Sequence, residues 1–306
     1  MTTFSVIIAT YGRPDLLKRC LEGLSQQLRP ADEVIVVTRP DDTASHDVAN
    51  GALVTTRLVD VATPGVVAAM AVGLRASTSD WVAFTDDDAI ASPTWIGDLE
   101  QRSHGDGVIG VGGRDVLEDD GVERSTLLTS DVGRIAAFGR FTGNHHRGTG
   151  GARSVAMLKG VNCAYDASLL GIPTGLFGTG AQAHFEIAIG LDLEGQGTLI
   201  YDPSVTVRHA PGTRLDGDRR ILPSRASIAD VASNAVLACG VRSKWFAAQR
   251  SMFSLAIGDA SCPGVARFLV GITKADIRRR FLPSLFGTLR GLLFVACGRG
   301  LRFIRR

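Results

Sequence analysis

Short apolar runs alternate with amphipathic stretches over roughly the first third of the chain. The runs are rich in β-branched residues, which is typical of strands buried on both faces. Pro14 opens a stretch whose apolar side chains recur at helical spacing. We predict helices from Pro14 and over residues 65–75, and strands over residues 4–9, 33–37, 56–61 and 81–85. This alternation indicates an α/β fold with a parallel sheet covered on both faces and ligands at the carboxyl ends of its strands.

The pattern changes twice further along the chain. Residues 105–160 are rich in glycine, and within them only residues 108–111 have the composition of a strand. A helix over residues 185–193 and a strand over residues 198–201 follow. From Arg225 the pattern is helical to the end, and we expect its prolines to act as helix breakers; these are Pro223, Pro263 and Pro283. We therefore predict an α/β domain over residues 1–215 and a helical region over residues 216–306.

Composition narrows the class of protein. With 306 residues, 45% of them hydrophobic and 21% charged, the chain is neither disordered nor collagen-like. The net charge of +2 gives no general attraction to nucleic acid. Five scattered cysteines without a C-x-x-C pair argue against a disulfide framework and a zinc ribbon. Since no basic and apolar leader precedes the first strand, we expect a reducing, cytoplasmic location.

The balanced net charge hides an asymmetry at the C-terminus. Residues 277–306 contain eight arginines and no acid, so the rest of the chain is mildly acidic. Leucines and phenylalanines recur at helical spacing beside these arginines, and Arg290 interrupts the apolar run, which excludes a membrane span. We expect this basic, amphipathic region to lie on an anionic membrane surface, at the inner face of the plasma membrane. A solvated terminal helix capped by arginines is the alternative.

Three consecutive acids follow the fourth predicted strand. Unpaired carboxylates are too costly to bury, so Asp86, Asp87 and Asp88 must meet solvent or a cation. Side-chain alternation puts Asp86 and Asp88 on the same side, and their oxygens suit Mg²⁺ or Mn²⁺. The alternative is a polar loop in which Asp88 or Ser92 caps the next segment.

Several segments carry a resemblance to a known family. In their order and spacing they resemble the family 2 glycosyltransferases, which are inverting enzymes with the glycosyltransferase A fold. The resemblance covers roughly residues 4–211 and implies a mostly parallel, Rossmann-like sheet that binds nucleotide-diphospho-sugars, followed here by the helical extension. The segments are 6–14 (VIIATYGRP), 64–69 (PGVVAA), 81–88 (WVAFTDDD), 158–162 (LKGVN), 184–186 (HFE) and 201–209 (YDPSVTVRH).

The resemblance implies transfer of a sugar from a nucleotide-diphosphate donor to a hydroxyl of a polysaccharide or lipid-linked acceptor. Such a transfer uses Mg²⁺ or Mn²⁺ to neutralise the leaving diphosphate. Asp86 and Asp88 match the DxD positions of the family, and His209 matches the histidine that often completes metal or phosphate binding. Taken alone, His209 also fits a surface histidine at the end of a strand.

A general base for the acceptor hydroxyl is the second requirement. Glu186 matches the family's acid at the start of a helix, and a carboxylate near an anionic donor has its pKa raised towards a useful range. An ordinary glutamate in the first turn of a solvated helix is the alternative interpretation.

Contacts to the nucleotide sugar are also implied by the resemblance. One of them, Asn162, matches an asparagine near the donor sugar or acceptor, and residues 143–148 (GNHHRG) are typical of a mobile loop over an active site. The expected nucleotide-sugar contacts are Thr10, Tyr11, Arg13, Asp42, Asp86 and Asn162.

Two departures from the family pattern concern the nucleotide end. Thr38 and Arg39 stand where an acid is usual, and Met70-Ala71 stands where Arg-Asn is common. Because of these departures, the sequence does not identify the donor nucleotide. They also support a second hypothesis, in which the protein is a catalytically silent glycosyltransferase-like binding module at the membrane. A dinucleotide-binding oxidoreductase is disfavoured, because no Gly-x-Gly-x-x-Gly follows the first strand.

Overall fold

A mixed ten-stranded sheet forms the centre of the protein. The structure is a computed structural model, and it describes residues 2–119, 121–212 and 223–306. All four strands predicted in the first 90 residues are present, with bounds within one residue of the prediction. The strands within the described ranges are β1 (Phe4–Ala9), β2 (Glu33–Thr38), β3 (Thr56–Asp60), β4 (Trp81–Asp86), β5 (Ala89–Ala91), β6 (Val108–Asp119), β7 (Val122–Glu123), β8 (Arg134–Ala136), β9 (Arg140–Thr142), β10 (Arg153–Val155), β11 (Asn162–Asp166), β12 (Ile172–Thr174), β13 (Thr198–His209) and β14 (Arg302–Ile304).

Helices connect the first strands and make up most of the C-terminal part. Pro14 is the first residue of its helix, as predicted, because its fixed φ suits that position and its missing N–H would have no helical partner there. The helices in the same ranges are α1 (Pro14–Ser25), α2 (Thr43–Asn50), α3 (Val66–Ala76), α4 (Trp95–Ser103), α5 (Phe185–Asp192), α6 (Arg225–Arg242), α7 (Lys244–Ala256), α8 (Val265–Val270) and α9 (Ala275–Ala296).

Most long strands of the sheet point in the same direction. The order along its main path is β10-β13-β6-β11-β4-β1-β2-β3, with β5 paired to β13 and β7 to β6. β1 is parallel to β2 and β4, and β6 is parallel to β13, whereas β11 runs antiparallel between β4 and β6. The predicted mostly parallel α/β fold is confirmed. The carboxyl ends of β1, β4 and β13 lie along one edge of the sheet.

Both faces of the sheet are covered by helices. On one face, Leu74 of α3 and Ile189 of α5 join the core beneath the sheet. On the other, Leu17 of α1 and Trp95 of α4 are fully buried. The chain thus forms the three-layer arrangement expected when strands are buried on both sides.

Two adjacent strands are longer than predicted. β6 continues to Asp119 rather than ending at residue 111, and β13 continues to His209. The full length of β6 was not predicted, because glycine is more common in loops than in strands. In β6 the glycines permit close packing of the neighbouring strand: a Cβ on Gly113 would lie 1.8 Å from the carbonyl oxygen of Val205.

The C-terminal part corrects two predictions. Pro283 lies inside α9 and does not end it, since packing of this helix against α6 offsets the cost of an interior proline, about 3 kcal/mol. The chain is also not helical to its end, because β14 pairs antiparallel with β12, Ile304 opposite Ile172. The predicted boundary between residues 215 and 216 lies outside the described residues.

Candidate active site

A cavity of about 910 Å³ opens at the carboxyl ends of β1 and β4. Its volume is in the range of pockets that enclose small-molecule ligands. Thr10, Tyr11 and Asp86 line this cavity, and Glu186 of α5 lines it as well. Asp230 of α6 also contributes to the wall, so the first of the C-terminal helices forms part of this site. The sequence did not predict that contribution.

Two carboxylates and one imidazole converge at the edge of the sheet. Asp86, Asp88 and His209 each offer a ligand atom, and these atoms lie within 4.8 Å of one another. The pairing of β5 with β13 brings this about, because it sets His209 opposite Ala89, the residue after Asp88. Burial and the neighbouring Asp88 carboxylate raise the pKa of Asp86, so bringing these acids together is unfavourable without a cation.

The spacing within this cluster fits a divalent cation. His209 Nε2 lies 3.2 Å from Asp88 Oδ1, close to the roughly 3 Å between neighbouring ligands on a cation with bonds of about 2.1 Å. Both atoms are buried, and neither has a hydrogen-bond partner among the described residues. Buried polar atoms without partners are uncommon and call for an explanation such as a bound ion. The predicted metal ligands are therefore brought together in a suitable arrangement.

The middle acid of the triplet has a different role. Thr10 Oγ1 donates a hydrogen bond to Asp87 Oδ2 at 2.7 Å, and Arg13 Nη2 lies 2.7 Å from Asp87 Oδ1. Burial raises the pKa of Asp87 to about 7. Thr10 and Arg13, predicted to contact the nucleotide, thus line the cavity and also anchor the acidic triplet.

Glu186 lies in the first turn of α5, as predicted, and its side chain is half-buried at the cavity wall. Desolvation raises the pKa of its carboxyl group, while Lys159 acts against that shift. The preceding His184 adopts a left-handed conformation, with φ of 75°, and its ring packs 5.5 Å from that of Phe141. This strained residue directs the chain into α5 and so sets the position of Glu186.

At the carboxyl ends of β1 and β2, Tyr11 and Arg39 lie against each other. The Arg39 guanidinium carbon lies 3.8 Å from the centre of the Tyr11 ring, and both residues line the cavity. Asp42 does not line it. Its carboxylate accepts hydrogen bonds from the Gly12 and Ser45 amides, and so caps α2 and holds the loop after β1. A direct contact of Asp42 with base or ribose, expected from the sequence, finds no support in this position.

Asn162 also differs from its expected role. Its side chain is fully buried, accepts a hydrogen bond from Trp95 Nε1 at 2.8 Å and donates to the carbonyl oxygens of Arg114 and Val205. The amide therefore links α4, β6 and β13 beneath the site, and is not free to contact a donor sugar. This bonding could not be predicted, because its partners are distant in sequence.

Replacing Asn162 by alanine should consequently lower the free energy of unfolding by roughly 2–5 kcal/mol, because three buried groups lose their partner. Urea unfolding followed by circular dichroism measures the change. Asn50→Ala, at an exposed position in α2, is the matched control. A loss for Asn162→Ala no larger than for this control would contradict the structural role.

The histidines of residues 143–148 are not equivalent. His145 is buried, with its ring 3.1 Å from the carbonyl oxygen of Met157, and burial lowers its pKa to about 4. His146 instead lines the cavity. Only part of this predicted loop thus faces the site.

Two functional candidates were missed by sequence reasoning. Asp115 of β6 is completely buried, in contact with Lys159 and His209. The sequence does show an acid between apolar residues at this point, but the nearby glycines made the segment resemble a loop rather than a strand. Lys159 was noted only as part of a motif.

Comparison with known proteins decides the family. The profile described as Glycosyl transferase family 2 matches residues 5–166, more than half of the chain. The chain belongs to this family. A search of curated proteins finds no match to its sequence. The site described above is that of a family 2 glycosyltransferase, an enzyme with a DxD-like, Asp-Asp-His metal-binding cluster.

Solved structures similar to this family 2 glycosyltransferase include one transferase with bound nucleotide sugar and metal. The mannosyltransferase PcManGT from Pyrobaculum calidifontis, in complex with GDP-Man and Mn²⁺, has a TM-score of 0.51 at 15% identity over 97% of this chain and 87% of its own. A mycobacterial protein gives 0.49 at 18% identity, over 78% and 75% of the two chains. TarS from S. aureus gives 0.48 at 13% identity over 78% of this chain and 40% of its own. At 15% identity, the likeness to PcManGT shows the fold alone.

Proposed function

We propose that the enzyme transfers a sugar, with inversion, from a nucleotide-diphosphate donor to a hydroxyl of a polysaccharide or lipid-linked acceptor. The observation that carries this proposal is that Asp86, Asp88 and His209 line the same cavity as Glu186. The Mn²⁺ and GDP-Man bound by PcManGT support a divalent metal and a nucleotide sugar. Thr10, Tyr11 and Arg13 are proposed to contact the nucleotide, because they line the cavity after β1.

Each reacting group has a defined task in this proposal. Asp86, Asp88 and His209 would hold Mg²⁺ or Mn²⁺, which when bound neutralises charge on the leaving diphosphate. The carboxylate of Glu186 takes the proton of the acceptor hydroxyl. The acceptor oxygen bonds to the anomeric carbon as the bond from that carbon to the diphosphate oxygen breaks. A single displacement inverts the anomeric configuration.

A turnover assay tests the proposal against the alternative of a silent binding module. The purified protein is incubated with a panel of nucleotide-diphosphate sugars and with Mn²⁺, and nucleotide diphosphate release is followed with and without EDTA. Release that depends on the metal supports transfer or donor hydrolysis by this site. Absence of metal-dependent release with every donor would favour the binding module.

The pH dependence of transfer should show an acid limb above the range in which exposed glutamates titrate, about pH 4.3. Desolvation raises the pKa of Glu186, as does the Asp86 charge, while Lys159 and the Gly160 amide act against this shift. Because only the carboxylate accepts a proton, activity is full above the raised pKa and falls as the pH decreases through it. Initial rates at saturating donor and metal give the midpoint of this acid limb, and Glu186→Asp should shift that midpoint. An unchanged midpoint would show that the limb reports the titration of another group.

The outer surface of α9 supports a further part of the proposal, contact with a membrane. Four of its large apolar side chains are more than half exposed, whereas the face against α6 contains small residues such as Gly287 and Gly291. Arg290 points inward to Asp230, 2.6 Å away, and so leaves the outer face uncharged. We call this face the apolar ridge; it consists of Leu282, Phe286, Leu289 and Leu293.

Arginines lie at both ends of the apolar ridge. Arg278, Arg279 and Arg280 precede it, and Arg299 follows it. Within the described ranges, no helix combines the length and apolar character that crossing a bilayer requires. An anionic bilayer is the partner whose chemistry fits, since it offers an apolar interior to the apolar ridge and phosphates to the arginines. We propose that this surface holds the enzyme at the inner face of the plasma membrane, near its acceptor.

The double variant Phe286→Ser, Leu289→Ser should weaken binding to anionic vesicles at least tenfold. Each apolar side chain buried in the bilayer contributes roughly 1.5–3 kcal/mol, and both positions are exposed, so folding is unaffected. Co-sedimentation with phosphatidylglycerol vesicles measures binding, with phosphatidylcholine vesicles for comparison. Leu53→Ser, at another exposed leucine, is the control. Equal sedimentation of the double variant and the control would contradict the membrane proposal.

A further inference from the structure

A fully buried carboxylate lies behind the metal-binding cluster. Asp115 stands in β6 opposite Val207 of β13, and its side chain has no exposed surface. Its Oδ2 atom is in close contact with Lys159 Nζ, and the same oxygen lies 3.5 Å from His209 Nδ1. Burying a charge in this way is costly unless it is paired, so its two partners indicate what it does.

The imidazole of His209 lies between two acids. Its Nε2 atom is 3.2 Å from Asp88 Oδ1, and its Nδ1 atom is 3.5 Å from Asp115 Oδ2, although neither nitrogen forms a hydrogen bond with a described residue. A neutral imidazole carries a proton on one nitrogen and a lone pair on the other. Only a ring with its proton on Nδ1 can present the Nε2 lone pair to a cation beside Asp88. The carboxylate on the Nδ1 side favours that tautomer.

Lys159 sets the position of this carboxylate. Its ammonium contacts Asp115 while the side chain also lines the cavity, so the ion pair extends from the cavity wall to the back of the imidazole. The ion pair therefore holds the Asp115 carboxylate beside His209 Nδ1, where it can accept a proton carried by that nitrogen.

We propose that Asp115, anchored by Lys159, is a positioning residue that orients His209 and keeps its Nδ1 atom protonated, so that Nε2 is available to a divalent cation. This inference rests on the proposed function, in which Asp86, Asp88 and His209 hold that cation. It assigns Asp115 a task distinct from that of the ligands, because it acts only through His209.

Metal affinity tests the inference without reference to turnover. Mn²⁺ binding to the full-length protein is titrated by electron paramagnetic resonance for wild type and Asp115→Asn. Loss of a carboxylate that orients a histidine ligand typically lowers metal affinity 10–100-fold, and we expect a decrease of about that size. Asp202→Asn is the matched control, since Asp202 is a buried acid of β13 paired with Arg102 away from the cavity. It should leave Mn²⁺ affinity unchanged.

A double-mutant cycle separates positioning from a general effect of charge or folding. In a His209→Ala background, Asp115→Asn should cause no further loss of Mn²⁺ affinity, because the residue through which it acts is absent. An equal loss in both backgrounds would overturn the inference, as would unchanged affinity in the single variant. Failure of the wild-type protein to bind Mn²⁺ would instead contradict the proposed function itself, so the two failures are distinguishable.

A measurement on the wild-type protein does not depend on the stability of any variant. Zn²⁺, a diamagnetic ion that binds both imidazole and carboxylate, is added to protein labelled with ¹⁵N-histidine. The ¹⁵N chemical shifts of His209, assigned with His209→Gln, then report the tautomer. A proton on Nδ1 supports the inference, and a proton on Nε2 overturns it.

Discussion

Glu186→Gln should reduce the rate of sugar transfer by about 10²–10⁴-fold, the usual contribution of a general base. Glutamine keeps the shape of the side chain at the cavity wall but cannot take the proton of the acceptor hydroxyl. Because Glu186 is proposed to act on the acceptor, affinity for nucleotide diphosphate and for Mn²⁺ should stay near wild type. Steady-state kinetics measures the rate, and isothermal titration calorimetry measures nucleotide binding.

The control for this substitution is Glu194→Gln. Glu194 follows the same helix but is exposed, and it pairs with Arg242 rather than lining the cavity. Its substitution should leave transfer unchanged. Near-normal transfer by Glu186→Gln would show that another group is the base. A loss of nucleotide binding equal to the loss of rate would show that Glu186 acts on the donor.

Asp88→Asn should nearly abolish metal-dependent transfer. The substitution removes a charged ligand from the cluster of Asp86, Asp88 and His209, and with it several kcal/mol of charge stabilisation in the transition state. We expect a rate decrease of roughly 10³-fold, since each 1.4 kcal/mol corresponds to about tenfold, together with weaker Mn²⁺ binding. Rates over a range of Mn²⁺ concentrations show whether added metal restores part of the activity.

Asp47→Asn serves as the control for the metal site, because Asp47 is exposed on α2 and does not line the cavity. Its Mn²⁺ dependence should match that of wild type. An unaltered Mn²⁺ dependence in Asp88→Asn would mean that the metal binds elsewhere. Circular dichroism shows whether Asp88→Asn still folds. If it does not, the same measurements are made on Asp86→Asn, because the Asp86 side chain is more exposed.

Much of the α/β fold was predictable because its signals are local. A buried strand such as β1 or β4 is a continuous apolar run, and α1 shows its buried face through the spacing of Leu17, Cys20, Leu21 and Leu24. The metal cluster was predictable in part for the same reason. Asp86 ends the buried strand β4 and Asp88 lies in the turn before β5, so three successive acids at the end of an apolar run are visible in the sequence itself.

Other features depend on partners distant along the chain. Asn162 was expected at the donor, yet its partners Trp95 and Val205 lie 67 and 43 residues away and hold it in the core. Asp42 is an acid of the kind that often contacts a ligand, but its carboxylate accepts hydrogen bonds from the Gly12 and Ser45 amides and so stabilises the loop. A residue that contacts the ligand and a residue that supports the structure can have the same type and the same position near a strand end. Only the contacts in the folded protein distinguish these two roles.

The C-terminal helices show the same limit. The sequence predicted an apolar helix with arginines, but not which of its sides would face outward. The small residues of α9 pack against α6, which turns the apolar ridge to solvent and Arg290 towards Asp230. Helical periodicity alone is compatible with the opposite arrangement, in which the large side chains form the interface.

The four strands of the first 90 residues, helices α1 and α3, the acidic triplet and the first-turn position of Glu186 were determined by the sequence itself, because each depends on neighbouring residues and backbone periodicity. The tertiary structure alone decided that His209 meets Asp88, that Asp115 lies behind the imidazole and that α6 lines the cavity. Such contacts arise when strands far apart in sequence become neighbours in the sheet, and burial then decides which polar groups must find partners.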